Sequence, residues 1–311
     1  MKGKSPSVLI FGCGAIGSLY GLKLAQSGAK VSVFSRNNVD LIKRNGIKVK
    51  SSWGDDTLIP DQVISDIQQY KGIPDFILVC TKVIPEVDVV SAIKPKVGSE
   101  TKIVLIQNGI DIEAPYCEAF GENEIISGLA FVCVVRDRID CVNHIDYGRI
   151  ILGNYPSGVS ASTSYIVKLL NDVSVPCRSS ENIVRERWKK TLWNAAFNPV
   201  SILGENYSTS FILKTKAGEN LIFSMMKEVC LVAACKSIDL DISICKKMIE
   251  DTRKMVPYKT SMLVDYEQGR PLEIEAIIGN VIRIATLNKI ETPVLETIYR
   301  LVVMKISNLD G

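Results

Sequence analysis

A lysine and two asparagines four residues apart, Lys190, Asn194 and Asn198, point most directly to chemistry in this 311-residue chain. On a helix of about 3.6 residues per turn they form one polar stripe about 12 Å long. One cation and two amides suit the reduction of a carbonyl. Hydride addition to carbon builds negative charge on oxygen, so the site needs an acid or cation beside that oxygen and separate donors to hold the rest of the substrate. Lys190 can supply the first, and Asn194, Asn198 and Ser261 can orient the substrate. Glu273 can hold the ammonium or a substrate hydroxyl in place; its other role is that of an acidic residue favoured at a helix N-terminus. Between the polar positions, Leu192, Ala195 and Ala196 are apolar or small, as a packed helix requires, and the stripe is expected to face a cleft rather than open solvent.

A reductase needs a hydride source, and the N-terminus provides the pattern for one. Ser7–Phe11 is a short apolar run of strand character that stops at Gly12-Cys13-Gly14-Ala15-Ile16-Gly17, and residues 19–27 then have helical composition. In such a turn the first glycine makes the tight bend and the second lets backbone approach a pyrophosphate. The third allows close packing of helix on strand, and the helix N-terminus offers N–H groups to the anion. The alternative is a glycine turn without a ligand. A second strand, Lys30–Phe34, ends in Ser35-Arg36, where an NAD site usually carries Asp or Glu for the ribose hydroxyl. Arg36 can pair with a 2′-phosphate and Ser35 can donate to it, so NADP(H) is expected rather than NAD.

Stepping along the chain, residues 76–80 and 103–106 read as buried strands. They lead into Thr81-Lys82-Val83 and Gln107-Asn108-Gly109. Ligands of open α/β sheets lie beyond the carboxyl ends of the strands, which makes Lys82 and Asn108 candidates for the nicotinamide end and the substrate. Residues 125–134, 142–148 and 149–152 read as three strands. His144, the only histidine, lies among them and reads as a structural residue rather than a general acid. A helix over 160–171 and a strand over 175–179 finish the first domain. Beyond Ser180 the pattern turns helical, over 182–203, 218–236, 243–256, 273–285 and 293–306. Thr292-Pro293 signals the last start, a capping hydroxyl with proline at the first helical position. The stretch 258–270 is polar and turn-rich. The expected fold is α/β, with a Rossmann-type NADP-binding domain over residues 1–180 and an all-α substrate and catalytic domain over 181–311.

Composition narrows the partners. With 47% apolar and 23% charged residues and a net charge of +3, the chain has the make-up of a globular protein without the basic surface that nucleic acid or an anionic membrane would call for. Lys2 and Lys4 precede an apolar run, but it breaks at Gly12 and no small-residue cleavage site follows. Nine cysteines without zinc-site spacing read as reduced thiols, which suggests the cytoplasm. The expected partners are a small molecule and, at most, a second copy of the chain.

Taken together, these motifs resemble those of the ketopantoate reductase (2-dehydropantoate 2-reductase) family from Val8 to about Leu301. They are Gly-Cys-Gly-Ala-Ile-Gly, the lysine and the Gln-Asn-Gly after successive strands, Trp188-x-Lys190-x-x-x-Asn194-x-x-x-Asn198-Pro199, and Ser261-Met262 with Asp265, Arg270 and Glu273. The resemblance implies NADPH as cofactor, substrate bound in a cleft, and pantoate as product on the route to coenzyme A. It also implies that Lys190 is the proton donor, that Glu273 acts with it, that Asn194, Asn198 and Ser261 bind the substrate hydroxyl and carboxylate, and that Lys82 and Asn108 line the nicotinamide end. Other readings of the same residues are reduction of a different 2-oxo acid, an opine-type reductive amination, and a module that only senses NADP(H).

Overall fold

In a computed structural model, described here for residues 5–204, 207–255 and 259–307, the chain divides into two compact units. One comprises residues 1–81, 85–107 and 113–184. The other comprises 82–84, 108–112 and 185–311. Where a single boundary near Ser180 is expected, two short segments that follow strands therefore group with the helices instead. The reason is their hydrogen bonding, described below.

The first unit is built on ten strands: β1 (Ser7–Phe11), β2 (Lys30–Phe34), β3 (Ile47–Ser51), β4 (Asp56–Leu58), β5 (Val63–Ile64), β6 (Phe76–Val79), β7 (Lys102–Ile106), β8 (Ile125–Arg138), β9 (Cys141–Asn154) and β10 (Cys177–Ser179). They form one mixed sheet in the order β4-β3-β9-β8-β7-β6-β1-β2-β5, with β10 beside β9. From β5 to β8 all neighbours are parallel. Central parallel strands are covered on both faces, so they read as unbroken apolar runs. Alternate residues duly divide between two cores. Val8, Ile10, Phe76, Leu78 and Val104 pack with Leu19, Leu22 and Leu170 on one face, and Leu9, Phe11, Ile77, Val79 and Leu105 pack with Ile93, Tyr116 and Phe120 on the other. The covering helices are α1 (Ala15–Gln26), α2 (Val39–Asn45), α3 (Val89–Ile93), α4 (Ala114–Ala119) and α5 (Ala161–Asp172).

One difference from the sequence reading lies in β9, which is a single strand where two are expected. Its register against β8 slips so that Phe131 pairs with Arg149 and Val132 with Tyr147. Tyr147 (φ 61°) and Gly148 (φ 115°) take up the extra residue as a bulge. A Cβ on Gly148 would overlap the Trp53 ring. His144 supports this bulge from beneath: Ser51 Oγ lies 2.8 Å from its Nδ1, its Nε2–H donates to the Tyr147 carbonyl at 3.1 Å, and its ring meets Trp53 edge-on. It is buried, burial holds its pKa below the usual value, and both ring nitrogens are engaged. It is a structural residue.

The second unit is helical: α6 (Ile183–Leu203, its first two residues in the first unit), α7 (Thr209–Ile212), α8 (Lys216–Cys235), α9 (Ser243–Lys254), α10 (Ser261–Glu267), α11 (Asn280–Leu287) and α12 (Pro293–Ser307). A π turn, Glu275–Gly279, leads into α11. Two expectations are corrected. The polar stretch from residue 258 contains α10, made possible by Thr260, whose hydroxyl accepts from Leu263 N at 3.1 Å. The Thr292 hydroxyl does not cap α12. Glu228 of α8 does, its carboxylate accepting from the backbone N–H groups of Val294 (3.0 Å) and Leu295 (2.8 Å). Val256 and Tyr258, at the ends of two expected stretches, lie outside the described residues, as do Lys2 and Lys4. No helix among the described residues is long and apolar enough to cross a membrane.

Candidate active site

In the helical unit, α6 buries Leu192, Ala195, Ala196 and Phe197 completely, and its four-residue polar stripe follows from that packing. Lys190 and Asn194 are half-buried. Asn198 is only 1% exposed, and neither its Oδ1 nor its Nδ2 has a hydrogen-bond partner. A solvent-facing stripe is therefore excluded at that end. A buried amide with both ends unused is costly unless something else satisfies it.

The decisive contacts run between the two segments that leave the sheet strands and the helices. Lys190 Nζ donates to Asn108 Oδ1 at 3.0 Å, and Asn108 Nδ2 donates to Glu273 Oε2 at 3.1 Å. An ammonium only donates and a carboxylate accepts, so the amide can face only one way. The other Glu273 oxygen, Oε1, accepts from Val83 N at 3.0 Å. Lys82 is held by Asp265 (Nζ to Oδ2, 2.8 Å) and by the Pro271 carbonyl (2.8 Å), and Arg270 lies 3.7 Å from the other Asp265 oxygen. Segment 108–110 is further fastened by its backbone. Ile110 N donates to the Ala276 carbonyl (3.1 Å) in the π turn, Asn280 Nδ2 donates to the Ile110 carbonyl (2.6 Å), and Arg187 Nη1 donates to the Gly109 carbonyl (3.0 Å). Gly109 has φ 99°, and a Cβ there would sit 2.5 Å from the Ala276 oxygen.

Burial and charge tune this chain of groups. Burial first, then the positive charge of Arg187, bring the Lys190 ammonium down from the ordinary lysine value to about 7, with Glu273 pulling the other way. Burial pushes the Glu273 carboxyl up, against its hydrogen bonds from Val83 and Asn108. A lysine that exchanges its proton near neutrality beside a fixed amide and a carboxylate is suited to general acid chemistry. Ser261, exposed, opens α10 directly after its capping residue.

Of the expected cofactor residues, those from Gly12 to Gly17 with Ser35 and Arg36 belong to the first unit, while Lys82 and Asn108 group with the helices. Gly12 has φ 101°, and a Cβ on it would sit 2.6 Å from Thr81 N; a Cβ on Gly17 would overlap the Gly12 carbonyl and sit 2.8 Å from Ile10 Cγ2. Gly14, by contrast, has nothing within 4 Å of its missing Cβ, and no side chain among the described residues caps α1. Two glycines are thus required by packing, and the third leaves backbone open beside a helix N-terminus, which fits a bound pyrophosphate. Cys13 is buried against Ser18, its Sγ 3.5 Å from Ser18 Oγ. Ala15 and Ile16 begin α1. At the end of β2, Ser35 Oγ donates to the Asn37 carbonyl at 2.8 Å, and Arg36 is exposed. Sequence reasoning gave no role to Asp265, Arg187, Asn280 or the Val83 N–H; the ion pair of Lys82 with Asp265 spans 183 residues, and Asp265 stood out only as one residue of the family motif.

Comparison with known proteins decides the family. Residues 8–157 match the model of ketopantoate reductase PanE/ApbA, and residues 182–305 match that of its C-terminal domain. The chain belongs to the ketopantoate reductase family. Members of this family are NADP-dependent oxidoreductases acting on CH–OH groups, and the chain is an enzyme of that class. It is 29% identical to 2-dehydropantoate 2-reductase of Nostoc sp., over 97% of this chain and 94% of the relative. The crystal structure of 2-dehydropantoate 2-reductase from Methylococcus capsulatus is 41% identical, with a TM-score of 0.91, and covers 98% of this chain and 97% of its own. A ternary structure of D-mandelate dehydrogenase with NADH and anilino(oxo)acetate matches with a TM-score of 0.89 at 21% identity over 98% of this chain and 100% of its own, a likeness of fold alone.

Proposed function

We propose that the chain reduces 2-dehydropantoate (ketopantoate) to (R)-pantoate with NADPH. The observation that carries this reading is the run from Lys190 through Asn108 to Glu273, an acid of near-neutral pKa fixed by an amide and a carboxylate. The Gly12–Gly17 turn, with Ser35 and Arg36, would hold the dinucleotide, which supplies the hydride.

In this reading the substrate carbonyl oxygen lies against Lys190. As charge develops on that oxygen the ammonium transfers a proton to it, and the near-neutral pKa makes the resulting neutral amine accessible at physiological pH. Asn108 keeps the ammonium from swinging away, and Glu273, itself held by the Val83 N–H, fixes Asn108. Asn194 and Ser261 offer donors to the carboxylate. The unpartnered amide of Asn198 both donates and accepts, which suits a hydroxyl better than a methyl or phenyl group. That feature favours ketopantoate among 2-oxo acids.

The test follows NADPH absorbance with ketopantoate and with a panel of 2-oxo acids lacking the hydroxyl, each with and without an added amine. Ketopantoate should give the highest kcat/KM, with no dependence on the amine. An equal or higher kcat/KM for an acid without the hydroxyl would assign the enzyme to a different substrate, and an absolute need for the amine would assign it to the opine-type reaction.

A further inference from the structure

We propose that Arg187 is a positioning residue for the reduction, acting through the Gly109 carbonyl to hold Asn108 against Lys190. This rests on the reading of Lys190 as proton donor. Arg187 is 2% exposed, and a guanidinium is costly to bury without a defined task. It stands one helical turn before Lys190 on the same face of α6, at i and i+3. Its Nη1 reaches the backbone of the residue that follows Asn108. One helix thus grips the Asn108 segment at two adjoining residues, the side chain of Asn108 from Lys190 and the carbonyl of Gly109 from Arg187. Ala276 and Asn280 hold the next residue, Ile110, through its N–H and carbonyl. The Arg187 bond fixes the backbone next to Asn108, and so the position from which its side chain reaches Lys190.

The same placement gives Arg187 a second effect. Among the described residues, the charges that shift Lys190 are Arg187 on its own helix and Glu273, while Lys82 and Asp265 act on Glu273. A fixed neighbouring cation disfavours the protonated lysine, so Arg187 lowers the pH at which Lys190 can release its proton.

Two variants separate the effects. Arg187→Lys keeps the charge and loses the planar fork, so kcat should fall about tenfold or more while the alkaline limb of kcat/KM stays in place. Arg187→Gln keeps a donor near Gly109 and loses the charge, and the limb should move to higher pH. The KM for NADPH should be unchanged in both, which also reports that the variants are folded. A purely structural arginine would lower the amount of folded enzyme in both variants and leave the limb where it was. Wild-type kcat in Arg187→Lys, or an unmoved limb in Arg187→Gln, would overturn the proposal. Failure of the functional reading is distinguishable, because then the wild-type enzyme itself reduces no 2-oxo acid. Competitive labelling with acetic anhydride, read on the Lys190 peptide by mass spectrometry, gives the Lys190 titration without turnover. The midpoint should rise in Arg187→Gln, and an unchanged or lower midpoint overturns the inference independently of activity.

Discussion

Lys190 is the residue whose perturbation tests most of the reasoning at once. With its ammonium held at about 7, half the free enzyme carries the proton at that pH, and roughly one part in ten does so one unit higher. Since kcat/KM reports the free enzyme, it should fall about tenfold for each pH unit above 7. The limb in kcat should lie at higher pH, because the substrate carboxylate adds negative charge near the ammonium and favours its protonated form. Lys190→Ala should lower kcat by roughly 10²–10⁴-fold, lose the limb, and barely change the KM for NADPH. Glu273→Gln removes the charge that favours the ammonium, so the limb should move to lower pH. There is a stability counterpart. The folded pKa lies below the unfolded value of 10.5, so the protonated lysine opposes folding below pH 7, and this penalty is relieved as pH rises from 7 towards 10.5. Stability of the helical unit should therefore rise across that window by up to about 1.4 kcal/mol per pH unit more than in Lys190→Met. Lys189→Ala is the control, one residue and about 100° around the helix. If Lys189→Ala proved more damaging to kcat than Lys190→Ala with both proteins folded, or if kcat/KM stayed flat well above pH 7, the assignment of the acid would be wrong.

The glycine turn offers a sharper contrast than its motif does. Gly14→Ala should fold as the wild type, because its Cβ has open space, yet raise the KM for NADPH, whereas Gly17→Ala should lower the melting temperature outright; an unchanged KM in Gly14→Ala would remove the pyrophosphate from that position. Arg36→Asp should weaken or reverse a preference for NADPH over NADH, a loss of about 1.5–3 kcal/mol of discrimination, and equal catalytic efficiency of the unmodified enzyme with both cofactors would refute the assignment. Asn194→Ala and Ser261→Ala should raise the KM for the oxo acid more than that for NADPH; the reverse pattern in steady-state kinetics would place them in the wrong part of the site. Glu228→Ala should lower stability in chemical denaturation by about 0.5–2 kcal/mol through the lost cap of α12, and no change would mean that backbone N–H groups there are satisfied otherwise.

What was legible in the sequence was what local pattern encodes. The bounds of β1 and β2, the glycine turn, and α6 from one residue inside its expected start all follow from unbroken apolar runs, glycines and spacing. The features that were missed are held by distant partners. The helix α10 is short and lies in a turn-rich stretch, and Thr260 and the Lys82–Asp265 pair fasten it. The cap of α12 comes from Glu228, 66 residues from Val294, so a threonine in the right local position misleads. β9 looks like two strands because Tyr147-Gly148 carries turn chemistry, while its bulge is fixed by Trp53 and His144. Lys82, Asn108, Lys190 and Glu273 were each singled out as candidates, but their order of contact was not legible, since side-chain hydrogen bonds across 82 and 165 residues leave no periodic trace.

The grouping of segments 82–84 and 108–112 with the helices bears on how relatives of this enzyme can be recombined. A crossover near residue 180 looks natural, yet it would take Asn108, Gly109 and Ile110 from one parent and Arg187, Lys190, Glu273, Ala276 and Asn280 from the other. The hydrogen bonds that hold Asn108 to Lys190 and Glu273, and its neighbours to Arg187, Ala276 and Asn280, would then join residues of different ancestry. The two halves of the gene are therefore not interchangeable cassettes: residues 82–84 and 108–112 must be inherited with the helices, and a chimera that respects this needs two short inserts from the helical parent within its nucleotide-binding half.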